Sequence, residues 1–352
     1  MKEKFKEIGD ILGFESKLEF GIPKGHMDCV WRVREPVSEI FITFEFETAT
    51  SGSQIIENLV KTLSLPPQMK PRFLIQIYRD KLTEKTKSYI EKIASTLPIT
   101  TRIFEDVGID VEEVSQKVII ELFNWISEQT EISDSLIKKM ENIIPRDKIV
   151  RIFHYGEPNY SYLQYLDRAL RQLRGYLMHI RSVPMEKNES YLPQLFQDLT
   201  EYDIVILSDV SLRYCDKNSV HRFIDEEVKK KGKILILTGG YGLTKDYNDL
   251  GEENLGGKIM SCLNRKVRII RGIGQGLVFK GLNQFRATNR EEIVSFWDIK
   301  DLPATIIHKI DKGKMIIFTS DCSPAWGTPT IQTEGFREMW KTILEKYCLI
   351  RI

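Results

Sequence analysis

Residues 202–243 read YDIVILSDVSLRYCDKNSVHRFIDEEVKKKGKILILTGGYGL, and this stretch decides the fold. Two runs inside it, 203–207 (DIVIL) and 233–238 (KILILT), are apolar at nearly every position. A strand apolar on both sides is covered on both faces, as strands inside parallel sheets are. Between the runs, 219–230 has helical spacing, so the order is strand, helix, strand, the crossover unit of a parallel sheet. Working outward, 149–155 predicts a preceding strand and 162–177 a helix. Beyond the stretch, strands are predicted at 267–271, 305–309 and 314–318, and a closing helix at 335–347. Pro145-Arg146-Asp147-Lys148 reads as a linker, which divides the chain into 1–147 and 148–352.

The first part has a different rhythm. A charged amphipathic helix is predicted over 2–12, then strands at 27–34 and 39–47 joined by a loop around Glu35-Pro36. A helix follows over 53–63, with N-cap chemistry from Ser51-Gly52-Ser53. Further along come a buried strand at 73–78 (FLIQIY), a helix at 83–95, a strand at 100–104, and closing helices at 111–128 and 133–142. The expected fold class is therefore α/β throughout, in two domains.

The 352 residues carry 51 Lys+Arg against 50 Asp+Glu, and 42% are hydrophobic. Such a composition excludes wholesale disorder and a protein whose whole surface is built to bind polyanions. The balance is uneven along the chain. Residues 1–148 hold 21 basic and 25 acidic side chains, and the remainder holds 30 and 25. No run approaches about 18 apolar residues, so no membrane partner is expected. The first ten residues alternate Lys and Glu in place of a secretory core. The five cysteines, Cys29, Cys215, Cys262, Cys322 and Cys348, are odd in number and contain no CxxC, which points to a reducing cytoplasm and no zinc ligand set.

Two groups of residues carry chemistry. In the first part, Glu45 and Glu47 stand at i and i+2 on one strand and share a face, and Asp28 lies early on the neighbouring strand. Three converging carboxylates need a cation, and Mg²⁺ held by one or two of them plus phosphate oxygens fits, the arrangement of a phosphodiesterase. In the second part, ligands of open α/β sheets bind beyond the carboxyl ends of the strands. Those ends carry His154, Ser208, Asp209, Gly239 and Gly240, with Tyr241, Asp321 and Trp326 placed to line a small-molecule or sugar-like pocket. The glycine turn Gly239-Gly240-Tyr241-Gly242 would let backbone amides approach a ligand there. It is neither GxGxxG nor a P-loop, so no nucleotide is implied.

The segments GIPKGHMDCVWRV and ITFEFETATSGSQIIENL resemble the core of the PD-(D/E)xK restriction-endonuclease-like superfamily, over roughly 1–105. The resemblance implies a helix, a strand bearing the metal-binding Asp, a strand bearing (D/E)-x-K, and a helix. Asp28 takes the first role and Glu45 the second. Glu47 stands where most members have Lys and some have Glu, Gln54 opens the next helix where several branches place Gln, and Glu7 or Glu19 would be the extra carboxylate. The implied activity is Mg²⁺-dependent cleavage of nucleic acid.

The second part resembles the class I glutamine amidotransferase-like superfamily, closest to its ThuA-like branches, on YDIVILSDV, VKKKGKILILTGGYGL and DKGKMIIFTSDCSPAWG. The family's elbow, Gly-x-Cys-x-Gly, has Gly240 or Tyr241 at the Cys position. Its late His-x-Glu has no counterpart in Thr319-Ser320-Asp321-Cys322-Ser323-Pro324. The resemblance thus implies a flavodoxin-like parallel-sheet fold without glutamine hydrolysis. Two other readings stay open: a binding or assembly protein with both sites degenerate, forming a homo-oligomer, and a small-molecule hydrolase using the crevice near Tyr241 and Cys322.

Overall fold

The computed structural model of the chain describes all residues except 34–38, 48–51, 97–98, 106, 128–132, 158, 186–198, 213–216 and 350–352, and omits the side chains of 52–55 and 68. The chain divides into two compact units, Met1–Arg146 and Asp147–Ile352, each an α/β structure.

In the first unit, helix α1 (Lys2–Leu12) precedes three antiparallel strands, β1 (Glu15–Ile22), β2 (Gly25–Arg32) and β3 (Ile40–Glu47). Helix α2 (Gly52–Leu63) then crosses over to β4 (Phe73–Tyr78), and α3 (Glu84–Ala94) to β5 (Thr100–Phe104). The strands stand in sequence order in one sheet, with β3, β4 and β5 parallel. Helices α4 (Val111–Ser127) and α5 (Asp134–Met140) complete the unit. Strand β1 was not expected. It alternates partly buried and exposed positions at the sheet edge, and its charged ESKLE run hides the period-2 signal. The expected cap at Ser51 and the loop at Glu35-Pro36 lie outside the described residues.

The second unit is built on a nine-stranded mixed sheet. Its parallel part holds β6 (Ile149–Gly156), β7 (Leu177–Pro184), β8 (Ile204–Ser208), β9 (Ile234–Thr238) and β16 (Gly313–Phe318), in the order β16-β9-β8-β6-β7. Every residue of β8 and β9 is buried, as their continuous apolar runs require. A side pair, β10 (Gly257–Leu263) with β13 (Leu282–Ala287), stands apart from this sheet. The antiparallel part adds β11 (Val267–Gly272), β12 (Val278–Phe279), β14 (Ile293–Trp297) and β15 (Pro303–Ile310).

Two expectations need correction here. The helix predicted over 162–177 is α6 (Tyr160–Leu170), and Leu177–Pro184 is strand β7. The chain turns at Gly175, whose φ is 78°, before the apolar run Leu177–Ile180 pairs with β6. The sheet is also mixed, because four strands beyond β16 run antiparallel. Strand β11 alternates buried and exposed positions, whereas β15 is buried along most of its length.

Candidate functional site

In the first unit, the pairing of Cys29 with Phe44 sets the β2–β3 register, which brings Asp28 opposite Glu45. Glu47 follows two residues on along β3. On β4, Gln76 pairs with Glu45 and Tyr78 with Glu47. Helix α2 contributes Asn58 and Lys61, one turn apart. The sheet thus gathers Asp28, Glu45, Glu47, Gln76 and Tyr78 beneath α2. The side chain of Gln54 lies outside the described residues.

Each carboxylate has a partner that the sequence reading missed. Asp28 accepts from Lys2 Nζ at 2.7 Å and from the Phe46 backbone N–H at 2.8 Å. Lys2 also reaches Glu19, at 2.6 Å. Glu47 accepts from Asn58 at 2.8 Å. Glu45 is 2% exposed, and Lys61 Nζ stands 3.0 Å from both its oxygens while also donating to the His26 carbonyl. Burial pushes the Glu45 carboxyl up to about 7; Lys61 pulls against this, and the charges of Asp28 and Glu47 add to it. Burial, with the charges of Glu47 and Glu45, also raises Tyr78. Gln76 Nε2 is buried and donates to nothing, while Glu45 Oε1 meets Lys61 as an ion pair without hydrogen-bond geometry.

No group of three or more His, Cys, Asp or Glu stands ready to hold a metal among the described residues. Mg²⁺ needs fewer, since it keeps waters and binds through one or two carboxylates and phosphate oxygens. Asp28 and Glu45 each already hold an ammonium, so a cation taken here would compete with Lys2 and Lys61.

In the second unit, the strand ends sort into two groups. His154 and Ser208, expected to line the crevice, are each 1% exposed and face inward. His154 Nε2 lies 2.7 Å from Ser208 Oγ, and Nδ1 lies 2.7 Å from Asp167 Oδ1 of α6. Ser182 of β7 donates to Asp167 Oδ2 at 2.6 Å. The connectivity is that of a Ser-His-Asp triad, but a buried hydroxyl offers substrate no approach. Gly156 lets the ends of β6 and β8 approach closely: a Cβ there would sit 1.9 Å from the Ser208 carbonyl oxygen. The chain of bonds ties α6 to three strands.

The second group follows directly on the strand ends, where Glu157 and Asp321 are buried and Asp209 is half-buried. Glu157 and Asp209 follow β6 and β8 with φ of 48° and 53°, a left-handed backbone unusual for these residues. Asp321 follows β16 and accepts from the Ser323 N–H at 2.9 Å and its Oγ at 2.5 Å. Burial raises Glu157, helped by the neighbouring charges of Asp321 and Asp209, and burial also raises Asp321. Burial also pushes Asp209 up to about 7, against a hydrogen bond from the Gly242 N–H.

The glycine turn does not offer its amides to a ligand, contrary to expectation. Gly239 N–H donates to the Phe318 and Ser320 carbonyls, Gly240 N–H to Asn283 Oδ1 at 3.1 Å, and Gly242 N–H to Asp209. Gly240, with φ 124°, is required because a Cβ would meet the Asp209 carboxylate at 2.3 Å. Tyr241 is 60% exposed, its ring edge-on to a buried Trp326 at 5.2 Å. Trp326 packs over Gly281 in place of lining a pocket. Cys322 is buried, which drives its thiol far above the usual range. It is no activated nucleophile.

Residues 246–348 match a family described as "Putative glutamine amidotransferase" (GATase1_like). No curated protein matches the chain. Among solved structures, it is similar to the cytoplasmic protein STM1381 of Salmonella typhimurium LT2 (TM-score 0.46, 18% identity, 56% of this chain and 99% of that one). It is also similar to the cytoplasmic protein STM3548 of Salmonella typhimurium (TM-score 0.44, 20% identity, 56% and 98%). A third is the exo-β-1,4-mannosidase Op5Man5 of Opitutaceae bacterium strain TAV5 (TM-score 0.38, 12% identity, 60% and 38%). No helix among the described residues is long and apolar enough to cross a membrane.

Proposed function

We propose that the first unit is a Mg²⁺-dependent nucleic-acid phosphodiesterase, joined to an amidotransferase-like unit that has lost glutamine hydrolysis. The observation that carries the reading is Asp28 opposite Glu45 across β2 and β3, with Lys61 of the following helix on Glu45. The order helix, three antiparallel strands, helix, parallel strand agrees with the endonuclease-like pattern read from the sequence.

Asp28 and Glu45 would hold the cation, with Glu47 beside them as a further ligand or as the base that orients water. The metal would supply charge for the scissile phosphate and an acidified water. Lys61 brings a positive charge to Glu45 from α2, where the family's third motif residue would bring one from β3 position 47. Substrate phosphate would displace Lys2 from Asp28 or bind beside it. In the second unit, Gly240 and Tyr241 stand at the elbow position and the thiol of Cys322 is sealed, so no thiolate is available there.

The test is cleavage of single- and double-stranded DNA and RNA with Mg²⁺ or Mn²⁺, comparing wild type with Asp28→Ala, Glu45→Gln and Lys61→Met. Loss of cleavage in Asp28→Ala by two orders of magnitude or more is expected. Equal cleavage by both, or none by wild type with either ion, overturns the proposal.

A further inference from the structure

Residues 254–290 contain eight Lys and Arg and not one Asp or Glu, in a chain with 50 acidic residues overall. This stretch builds β10 through β13. Two of its cations are neutralised, Lys258 by Glu252 and Arg290 by Asp301. Arg265, Lys266, Arg268, Arg271, Lys280 and Arg286 form no ion pair among the described residues, and all are exposed.

Strand β11 concentrates them. Val267 and Ile269 are buried, while Arg268 and Ile270 face solvent, Ile270 at 51% exposure. In unbroken alternation Arg271 would follow Ile269 inward. The register shift between Ile269 and Arg271 on β14 turns it outward, so one short strand presents both arginines. Arg265 and Lys266 enter the strand immediately before. The Arg271 guanidinium lies 4.1 Å from the ring centre of Phe296, its partner on β14. Arg271 and Phe296 line a groove of about 540 Å³ together with Arg290, Glu291 and Asp301.

We propose that this β11 face is a nucleic-acid-binding surface. Arg265, Lys266, Arg268 and Arg271 meet backbone phosphates, and the Phe296 ring beside Arg271 takes an unpaired base in the groove. Unpaired surface cations along a strand release counterions when they meet a polyanion. An aromatic ring beside a guanidinium is a stacking platform that suits single strands. An anionic lipid surface fits less well, since it favours an amphipathic helix with a broad apolar face. The face offers only Ile270 as a large exposed apolar side chain. The inference shares its substrate class with the phosphodiesterase reading and rests on it to that extent, while binding can be read without cleavage.

The experiment uses the full chain carrying Asp28→Ala, in EDTA, with a fluorescein-labelled 20-mer as single strand and as duplex, between 50 and 200 mM salt. Single-strand affinity should fall with a log–log slope of about −3, four cations at roughly 0.7 each. Arg268→Glu with Arg271→Glu should weaken binding at least tenfold and flatten the slope by about half. Arg265→Glu with Lys266→Glu should do the same through a pair remote from the groove, and Lys92→Glu on α3 should change nothing. Unchanged affinity in both reversed pairs, or vesicles of one-third phosphatidylserine bound while DNA is not, overturns the inference. Metal-dependent cleavage with unaffected binding in the reversed pairs removes this surface and leaves the phosphodiesterase. Weakened binding in them without any wild-type cleavage does the reverse.

Discussion

Glu45 shows most directly how burial creates reactivity in this chain. A carboxyl raised to about 7 is protonated below that pH in the folded state and ionised above its ordinary range in the unfolded chain. Its folded pKa is the higher, so its contribution to stability is full in acid and is lost as pH rises through 7. In metal-free protein, Glu45→Gln should therefore remove part of the stability decline between about pH 4.5 and 7. The part removed is on the order of 2 kcal/mol, read by urea unfolding at several pH values. A parallel decline in both proteins would show that Glu45 is not the group responsible. Cleavage should rise through pH 7 as the same carboxyl becomes free to bind metal. Cys322 gives the opposite case: an alkylating reagent should leave it unmodified in the native protein and label it in urea. Labelling at the rate of a free thiol in the native state would contradict its burial.

At the scale of elements, the sequence pattern identified the strands that carry the candidate carboxylates but not what crosses to meet them. Asp28, Glu45 and Glu47 are legible because strand alternation is local. Lys61 sits 16 residues from Glu45, and only the crossing of α2 over β3 brings them together. Lys61→Met leaves a buried carboxylate unpaired, and should lower stability by about 3 kcal/mol above pH 7 and far less below it. His154 and Ser208, expected at the crevice, are buried in a chain of bonds with Asp167 and Ser182. His154 and Ser208 end strands, but their side chains point to the α6 side of the sheet. Asp167→Ala leaves His154 and Ser182 without their acceptor in a sealed layer and should cost about 2–4 kcal/mol of unfolding free energy. A loss under 0.5 kcal/mol would mean that water reaches the network. Hydrogen bonding at the glycine turn explains why that loop is closed: Asp209, Asn283 and two backbone carbonyls satisfy its amides.

For the whole molecule, near-neutral charge conceals an acidic first part and a basic second part. A carboxylate site repels polyanion until a cation intervenes, and unpaired arginines on β11 attract it. If these tasks are divided so, raising salt from 50 to 200 mM should raise KM for an oligonucleotide at least tenfold and leave kcat within twofold. A fall in kcat at constant KM would contradict the division. The sequence by itself determined the α/β class and the doubly buried strands IVIL and ILIL, because continuous apolarity is written in neighbouring residues. It also determined the carboxylate spacing on β3. Only the tertiary structure decided which polar groups meet and which are sealed. Lys61 on Glu45, Asp167 on His154, and Asp209 over Gly240 join residues distant along the chain, and their burial and proton affinities depend on packing that no local pattern records.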